Sequence, residues 1–184
     1  MNTKENIRPG GRSARVQASV HKAVRALLET IDRAELTIPQ IAGEAGVTPS
    51  TVYRRWGDLQ ELLGDVAVER LRPETDPADF GSGKADLLAW AEQYAEEMAS
   101  GPGRQMIRDV MASKTDYGAG RCCGYTMQQL DVIVERAQER GETIPPTDTL
   151  IDHLVAPIMY RILFDDQSVT PDAVQTLVAR LLPD

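Results

Sequence analysis

Apolar residues recur at every third or fourth position along most of this chain, which is the spacing of amphipathic helices. Nothing in the sequence has the strict alternation of apolar and polar residues that indicates a strand. The pattern predicts an all-α fold, in which a three-helix N-terminal head is joined by a fourth helix to a five-helix C-terminal body. The predicted helices cover about 13–30, two segments within 37–56, a fourth from 59, and then about 84–100, 104–113, 125–140, 147–164 and 171–182.

Residues 37–56, TIPQIAGEAGVTPSTVYRRW, have the pattern of two short helices joined by a tight turn. Gly46 stands where a left-handed residue would end the first helix. Thr48 and Pro49 then open the second helix as N-cap and first helical residue. Val52 and Trp56 lie four positions apart, so they bury one side of that helix. The opposite side is small, hydroxylated or cationic, which suits a DNA major groove, and the segment therefore predicts a helix-turn-helix.

The stretch 72–83 is rich in Pro, Gly and Asp and marks the best domain boundary. We expect a disordered basic arm over 1–11, a helix-turn-helix DNA-binding domain over 12–71, and a ligand-binding and dimerisation domain over 72–184. No apolar run is long enough to span a membrane, and the N-terminal residues lack the apolar core of a signal peptide. The sequence therefore predicts a cytoplasmic protein without a membrane partner.

The net charge of −8 is unevenly distributed between the two halves of the chain. Residues 1–60 contain nine Lys/Arg and six Asp/Glu, whereas residues 61–184 contain eleven and twenty-two. A basic head on an acidic body favours DNA binding by the head alone. Arg8, Arg12 and Arg15 can add contacts to phosphates or the minor groove, although a solvated tail is an equal alternative.

The segment AGVTPSTVYRRWGDLQELL closely resembles the helix-turn-helix of the tetracycline-repressor (TetR) family, and the resemblance covers about 12–66. The body is only generically similar to that family. The resemblance implies a homodimeric transcriptional regulator, usually a repressor, that binds a palindromic operator in double-stranded DNA. A small molecule bound in the body would release it. Family members usually carry a Lys shortly after the aromatic residue at position 56, where this chain has GDLQ, so we expect one phosphate contact to be missing.

The family's DNA contacts, matched by position, fall on the start of the motif's first helix and on its second helix. We interpret Pro49, Ser50 and Arg54 as reading bases. Tyr53, Arg55 and the threonines of the motif would bind phosphates. For each of them a solvated polar helix surface is the alternative. The residues predicted to bind DNA are Thr37, Thr48, Pro49, Ser50, Thr51, Tyr53, Arg54, Arg55 and Arg12.

The last two predicted helices carry wide apolar stripes, which can pack on the body and on a second copy of the chain. Because symmetric dimers are the commonest oligomers and the family resemblance implies one, we expect a four-helix interface between two copies. The predicted interface residues are Leu154, Ile158, Ile162, Val174, Leu177, Val178 and Leu181.

Aromatic and Met residues are frequent in the body. Each one alone is better interpreted as core, but together they can line an apolar pocket for an effector. Since no basic cluster accompanies them, we expect a neutral or cationic molecule rather than an anionic one. The residues predicted to bind it are Trp90, Tyr94, Met98, Met106, Tyr117, Tyr125 and Met159.

The sequence lacks a phosphate-cradling Gly loop, an HExxH motif and paired CxxC motifs, so we expect no enzyme, no metal site and no cofactor. Cys122 and Cys123 are adjacent, and a redox or metal-binding role is the weaker interpretation because only Arg121 is an obvious nearby cation. Two other functions stay open. One is an architectural DNA-binding protein that takes no ligand, and the other is a helical small-molecule carrier with a vestigial head.

Overall fold

The computed structural model describes residues 11–114, 116–165 and 169–183, apart from the side chains of residues 116 and 117. Within these ranges the chain forms helices, turns and no strand, which confirms the predicted all-α class. The same ranges contain nine helices, if the continuous helical stretch 147–164 is counted once. They are α1 (Arg12–Leu28), α2 (Ile38–Ala45), α3 (Pro49–Trp56), α4 (Leu59–Arg70), α5 (Gly83–Ala99), α6 (Gly101–Ala112), α7 (Asp116–Glu139), α8 (147–164) and α9 (Pro171–Leu181).

The chain divides into two compact units, which we call the head (Met1–Val66) and the body (Ala67–Asp184). The division falls within α4, a few residues before the boundary that the sequence predicts at 71/72. In the head, α1 packs against α2, and α2 packs against α3. Its core consists mainly of aliphatic side chains, among which Val20, Val24 and Ile41 are fully buried.

In the body, α5 is the central helix and packs against α6, α7, α8 and α9. Leu87 and Ala91 of α5 meet Leu130 of α7 and Leu154 of α8 in one apolar cluster, and all four side chains are fully buried. Burial of apolar side chains in such a cluster is the main contribution to the stability of the folded unit. Among the described helices, none is both long enough and apolar enough to cross a lipid bilayer.

Two body helices differ in detail from the sequence prediction. Residues 101–103 (GPG), which lie between the predicted helices 84–100 and 104–113, instead form the first turn of α6. Ser100 Oγ accepts a hydrogen bond from the Gly103 backbone N–H, and Pro102 is tolerated in a first turn. Within α8, Ile151–Val155 has π-helical geometry immediately before Pro157. Proline has no N–H to continue the α-helical ladder, which accounts for the wider turn there.

Candidate DNA-binding surface

Helix α2 is fixed at both ends by the interactions that its sequence predicts. Thr37 Oγ1 accepts a hydrogen bond from the Gln40 backbone N–H at 3.4 Å, and the Thr37 N–H donates to Gln40 Oε1 at 2.8 Å, which forms a capping box. At the other end Gly46 has φ 66° and ψ 32°, the left-handed conformation that favours glycine. The predicted turn at Gly46 is confirmed, and the exposed hydroxyl of Thr37 already serves α2 as its cap.

Helix α3 is held in the head by two side chains on one face. Val52 is fully buried and Trp56 is 9% exposed, as their four-residue spacing predicts. Thr48 is the N-cap residue and Pro49 the first helical residue, as predicted. The short helix therefore turns its remaining side chains outward.

The outward face of α3 is hydroxylated at its N-terminus and aromatic and cationic further along. The Thr48 hydroxyl lies 2.9 Å from both Ser50 Oγ and Thr51 Oγ1, so the three hydroxyls form one cluster. Tyr53 is 49% exposed and Arg54 is exposed as well. Hydroxyl, phenol and guanidinium groups in this arrangement can donate to phosphate oxygens and to base edges.

Arg55 differs from Arg54 because its guanidinium is bound by α1. Its Nη1 donates to Ser13 Oγ at 2.7 Å, and its Nη2 donates to Gln17 Oε1. Arg55 is exposed, but these bonds direct its guanidinium toward α1. The structure thus brings most of the predicted DNA-binding residues to the outward face of α3 and ties Arg55 to a neighbouring helix.

A polar centre beneath α3 was not foreseen from the sequence. Asp65 of α4 accepts hydrogen bonds at the same oxygen, Oδ2, from Trp56 Nε1 at 2.8 Å, from Gln17 Nε2 at 3.0 Å and from His21 Nε2 at 3.0 Å. His21 is 3% exposed and Trp56 lies 6.0 Å from its ring centre. The signal available in the sequence was a carboxylate, Asp65, standing between apolar residues of α4, and a histidine within the buried stripe of α1.

Arg12, predicted to assist DNA binding, is the first residue of α1 and is exposed. Arg15 is exposed on the next turn of the same helix. The predicted basic arm with Arg8 lies outside the described residues. Of the three arginines in that prediction, the described residues therefore include Arg12 and Arg15, at the start of α1.

The body residues predicted to bind an effector are partly buried rather than clustered on a surface. Trp90 and Tyr94 stack with ring centres 5.0 Å apart, and burial, the largest influence, raises the pKa of Tyr94 to about 12. Met98 is buried in the main body cluster, with Met159 packed against it. The other candidates are Met106 and Tyr125, which flank a smaller cluster, and Tyr117, whose side chain lies outside the described part of the chain.

Arg121 is a cation beside this aromatic group. Its Nη2 donates to Tyr125 Oη at 2.6 Å, and its guanidinium carbon lies 5.7 Å from the centre of that ring.

Cys122 is half-buried, and burial is the largest influence raising the pKa of its thiol, while Cys123 is exposed. A raised thiol pKa means less thiolate at neutral pH, so Cys122 is poorly suited to redox chemistry. No set of potential metal ligands is grouped in the described residues.

The residues predicted for the dimer interface lie in the core of a single body unit. Six of them are at most 7% exposed within a single chain, where they pack in its main apolar cluster, and their role at a dimer interface stays a prediction. The outward side of the end of α8 carries different apolar residues, Tyr160, Leu163 and Phe164, which are 66%, 43% and 75% exposed. The buried residues are Leu154, Ile158, Ile162, Val174, Leu177 and Val178, with Leu181 partly buried beside them.

The body is similar to a known family of regulator domains, and most of the chain is similar to individual regulators. Residues 77–181 match the sequence model of a family described as the tetracyclin repressor-like, C-terminal domain. This match covers the body from before α5 to the end of α9.

Similarity extends over most of the chain in individual proteins. The uncharacterized HTH-type transcriptional regulator Rv1556 of Mycobacterium tuberculosis is 28% identical over 151 residues, which are 78% of this chain and 74% of that protein. The HTH-type transcriptional regulator AqdR of Rhodococcus erythropolis is 29% identical over 143 residues, or 75% of this chain and 69% of that one. The crystal structure of a TetR family transcription regulator, SCO0332, superimposes with a TM-score of 0.68 at 27% identity and covers 90% of this chain and 96% of its own.

Proposed function

This chain belongs to the TetR family of DNA-binding transcriptional regulators, and we propose that it is a homodimeric repressor released from a palindromic operator by a small molecule. In this proposal each protomer places α3 in the major groove of one half-site. The effector binds the body and favours a conformation that no longer fits the operator. Such coupling requires that the effector bind the two conformations with different affinities.

The observation that carries the proposal is the outward face of α3. Val52 and Trp56 take up the buried side, so the exposed Ser50, Tyr53 and Arg54 are presented together. We assign base reading to Pro49, Ser50 and Arg54, since an arginine fork matches the two acceptors of guanine. Phosphate contacts fall on Thr48, Thr51 and Tyr53, with Thr37 and Arg12 on the flanking helices.

Selection from random double-stranded DNA with the full-length protein tests this function. We expect enrichment of a palindrome and an affinity that falls steeply with salt, since phosphate contacts release counterions. Arg54→Ala should weaken binding to the selected operator by about tenfold and relax the preference at one base pair. Arg108→Ala, an exposed arginine of the body, serves as the control and should change neither. A chain that enriches no sequence is not a sequence-specific repressor.

We propose that the dimer forms through the outward side of the end of α8. Tyr160, Leu163 and Phe164 are exposed there, and the rings of Tyr160 and Phe164 lie 5.3 Å apart. Exposed apolar groups of this size commonly mark protein interfaces. Sedimentation velocity of Phe164→Glu should show monomers at concentrations where the unmodified chain is dimeric. An unchanged dimer would place the interface elsewhere.

For the effector we propose an apolar, neutral or cationic molecule that contacts the aromatic and Met residues of the body. The stacked Trp90 and Tyr94, with Met98, Met106, Tyr125 and Met159, supply the apolar and polarizable groups for such a contact. The test is release of the labelled operator by a panel of neutral and cationic aromatic compounds. If no compound raises the melting temperature or releases the DNA, a ligand-independent architectural role gains support.

A further inference from the structure

Helix α3 has little apolar surface with which to fix its orientation. It is eight residues long, and two of its side chains, Val52 and Trp56, are buried. Apolar contacts are not directional, so two of them leave a short helix able to rotate and slide by small amounts. Hydrogen bonds depend steeply on direction and distance, and they can remove that freedom.

The hydrogen bonds to Asp65 are of this kind, and they join three helices. Trp56 on α3 and both Gln17 and His21 on α1 donate to the same carboxylate oxygen of Asp65 on α4. Trp56 and His21 are buried and the Asp65 side chain is 23% exposed, so the bonds from these two donors are partly shielded from water, and a misaligned donor there is costly. Because the three donors share one oxygen, displacement of one alters the position of the acceptor for the other two.

The network continues from the buried centre to the DNA-facing side of the head. Gln17 donates to Asp65 through Nε2 and accepts from Arg55 through Oε1. Arg55 also donates to Ser13 at the start of α1. The two neighbouring residues Arg55 and Trp56 thus bind α3 to α1 and α4 on two sides, at the surface and in the interior.

We propose that this network, formed by Asp65, Gln17, His21, Trp56 and Arg55, sets the orientation of α3 and thereby its discrimination between DNA sequences. Asp65 and Gln17 are positioning residues that touch no DNA. Arg55 is a brace between α3 and α1 and not a phosphate contact. The inference rests on the proposed function, since it concerns how the head recognises an operator.

Three conservative variants weaken the network at different points, and Gln17→Met removes two bonds, the one to Asp65 and the one from Arg55. Trp56→Phe keeps an apolar ring and loses the Nε1–H donor, Gln17→Met keeps an unbranched side chain, and Asp65→Asn keeps the shape but loses the charge. We expect each to weaken binding to the selected operator by about tenfold, because a displaced α3 would lose the equivalent of one well-aligned base contact. Binding to scrambled DNA should change by less than about twofold, since that binding comes from charge.

Comparing the affinities for operator and scrambled DNA separates a loss of α3 orientation from a loss of protein stability. Circular dichroism must first show each variant folded at the temperature of the binding assay. Unfolding of a fraction of the head would weaken operator and scrambled binding equally, and that result would overturn the inference. Gln17→Met is the variant least able to disturb folding, because Gln17 is only half-buried. Gln128→Met, on the exposed side of α7, is the matched control and should leave both affinities unchanged.

Arg55→Lys decides the role of the guanidinium. Lysine keeps the charge and binds phosphate as a point charge, but it cannot reach Ser13 and Gln17 with the two arms of a planar fork. A brace therefore predicts that Arg55→Lys loses operator discrimination as Gln17→Met does, whereas a phosphate contact predicts operator affinity close to that of the unmodified chain. In parallel, Arg55→Ala should leave the salt dependence unchanged, while loss of one phosphate contact would lower its logarithmic slope by about 0.9.

The two failures are distinguishable. If the unmodified chain selects no operator, the proposed function and this inference both fall. If it selects an operator and the variants retain its preference over scrambled DNA, the inference alone is overturned. In the double variant with Gln17→Met and Trp56→Phe, the fold-loss of operator affinity should be smaller than the product of the two single losses, because both donors act through Asp65.

Discussion

The head and the body hold their helices in place by different means. In the head, α1, α3 and α4 converge on the carboxylate of Asp65, and the short α3 is tied to both α1 and α4 by hydrogen bonds. The body instead surrounds α5 with four helices through one large apolar cluster. One group of ion pairs in the body, which we call the charged edge, joins Arg140 to Asp79, Asp86 and Glu142, and the Asp86 side chain is fully buried.

The difference matches what each unit presents to a partner. In the function that we propose, the angles of the exposed hydroxyl and cationic groups of the head decide a hydrogen-bonded fit to DNA, so directional bonds beneath them are useful. The body exposes large apolar side chains such as Tyr160 and Phe164, for which an approximate shape and area suffice. We therefore expect substitutions that remove apolar volume to lower the free energy of unfolding most in the body. Substitutions that strain the backbone should lower it in the helix-turn-helix motif.

The largest effect is expected from Ile158→Ala in α8. Ile158 is fully buried within one chain, so its truncation should lower the free energy of unfolding by about 3 kcal/mol through lost burial and a cavity. Urea unfolding of the full chain measures this. The loss should be the same at every protein concentration, because the contacts are within the protomer.

Tyr160→Ala is the matched control for that variant, two positions along the same helix but 66% exposed. It should leave the unfolding of the monomer nearly unchanged and weaken self-association. If the Ile158→Ala effect disappears when the protein is diluted below its dimer dissociation constant, the residue acts at an interface, as the apolar stripe of α8 predicts.

A smaller loss is expected from Gly103→Ala. An added Cβ would lie 2.0 Å from the Glu97 backbone oxygen and 2.9 Å from Met98 Cα, so the α5–α6 junction must shift. We expect about 2 kcal/mol of destabilisation, typical of overpacking, measured by thermal unfolding. Gly101→Ala is the control, because an added Cβ there meets nothing within 4 Å. Equal effects at both positions would show that the junction is not tightly packed.

Local features were predictable from the sequence because neighbours in the chain determine them. The Thr37 cap, the Gly46 turn and the Thr48-Pro49 start of α3 all depend on a few consecutive residues, and the structure has them where expected. The periodicity of apolar residues likewise located the long helices. The buried pair Val52 and Trp56 followed from the same spacing.

Long-range features were not predictable in the same way. The donors to Asp65 lie 9, 44 and 48 positions from it along the chain, so no local pattern brings them together. Periodicity also identified the apolar residues of α8 without deciding whether they face the chain's own core or a second copy. The structure places Leu154 and Ile158 in the core, whereas Tyr160, Leu163 and Phe164, which are absent from the predicted interface residues, are exposed at the end of α8.

In the recognition motif, Gly46→Ala tests backbone conformation rather than packing. The added Cβ would meet nothing within 4 Å, yet φ of 66° is unfavourable for alanine, and we expect a loss of about 1 kcal/mol. Gly43→Ala in the same helix also adds a Cβ in open space and, with ordinary helical geometry, should gain about 0.5 kcal/mol. Urea unfolding of the two variants gives the comparison. A loss at both positions would mean that α2 is crowded rather than strained at its turn.

The smallest expected effect is a pH dependence of the free energy of unfolding, which comes from the charged edge of the body. Glu142 accepts from the Gly83 backbone N–H at 2.7 Å and from Arg140 Nε at 2.6 Å, and these bonds, the Gly83 one first, hold its pKa below the ordinary value of 4.5. A carboxylate with a lowered pKa stabilises the folded state above pH 4.5, and this contribution is lost as the pH falls through the lowered value. The pKa of Arg140 is raised, so that group stays charged throughout this range.

Glu142→Gln should therefore reduce stability at neutral pH and flatten the decline in acid, as measured by urea unfolding between neutral and acidic pH. Glu139→Gln, at the exposed end of α7, is the control and should leave the acid profile of the unmodified chain intact. An unchanged profile in Glu142→Gln would mean that the edge carboxylates contribute nothing to folding. The body would then depend on its apolar cluster alone, and the contrast with the head, where a carboxylate organises three helices, would be sharper than the structure implies.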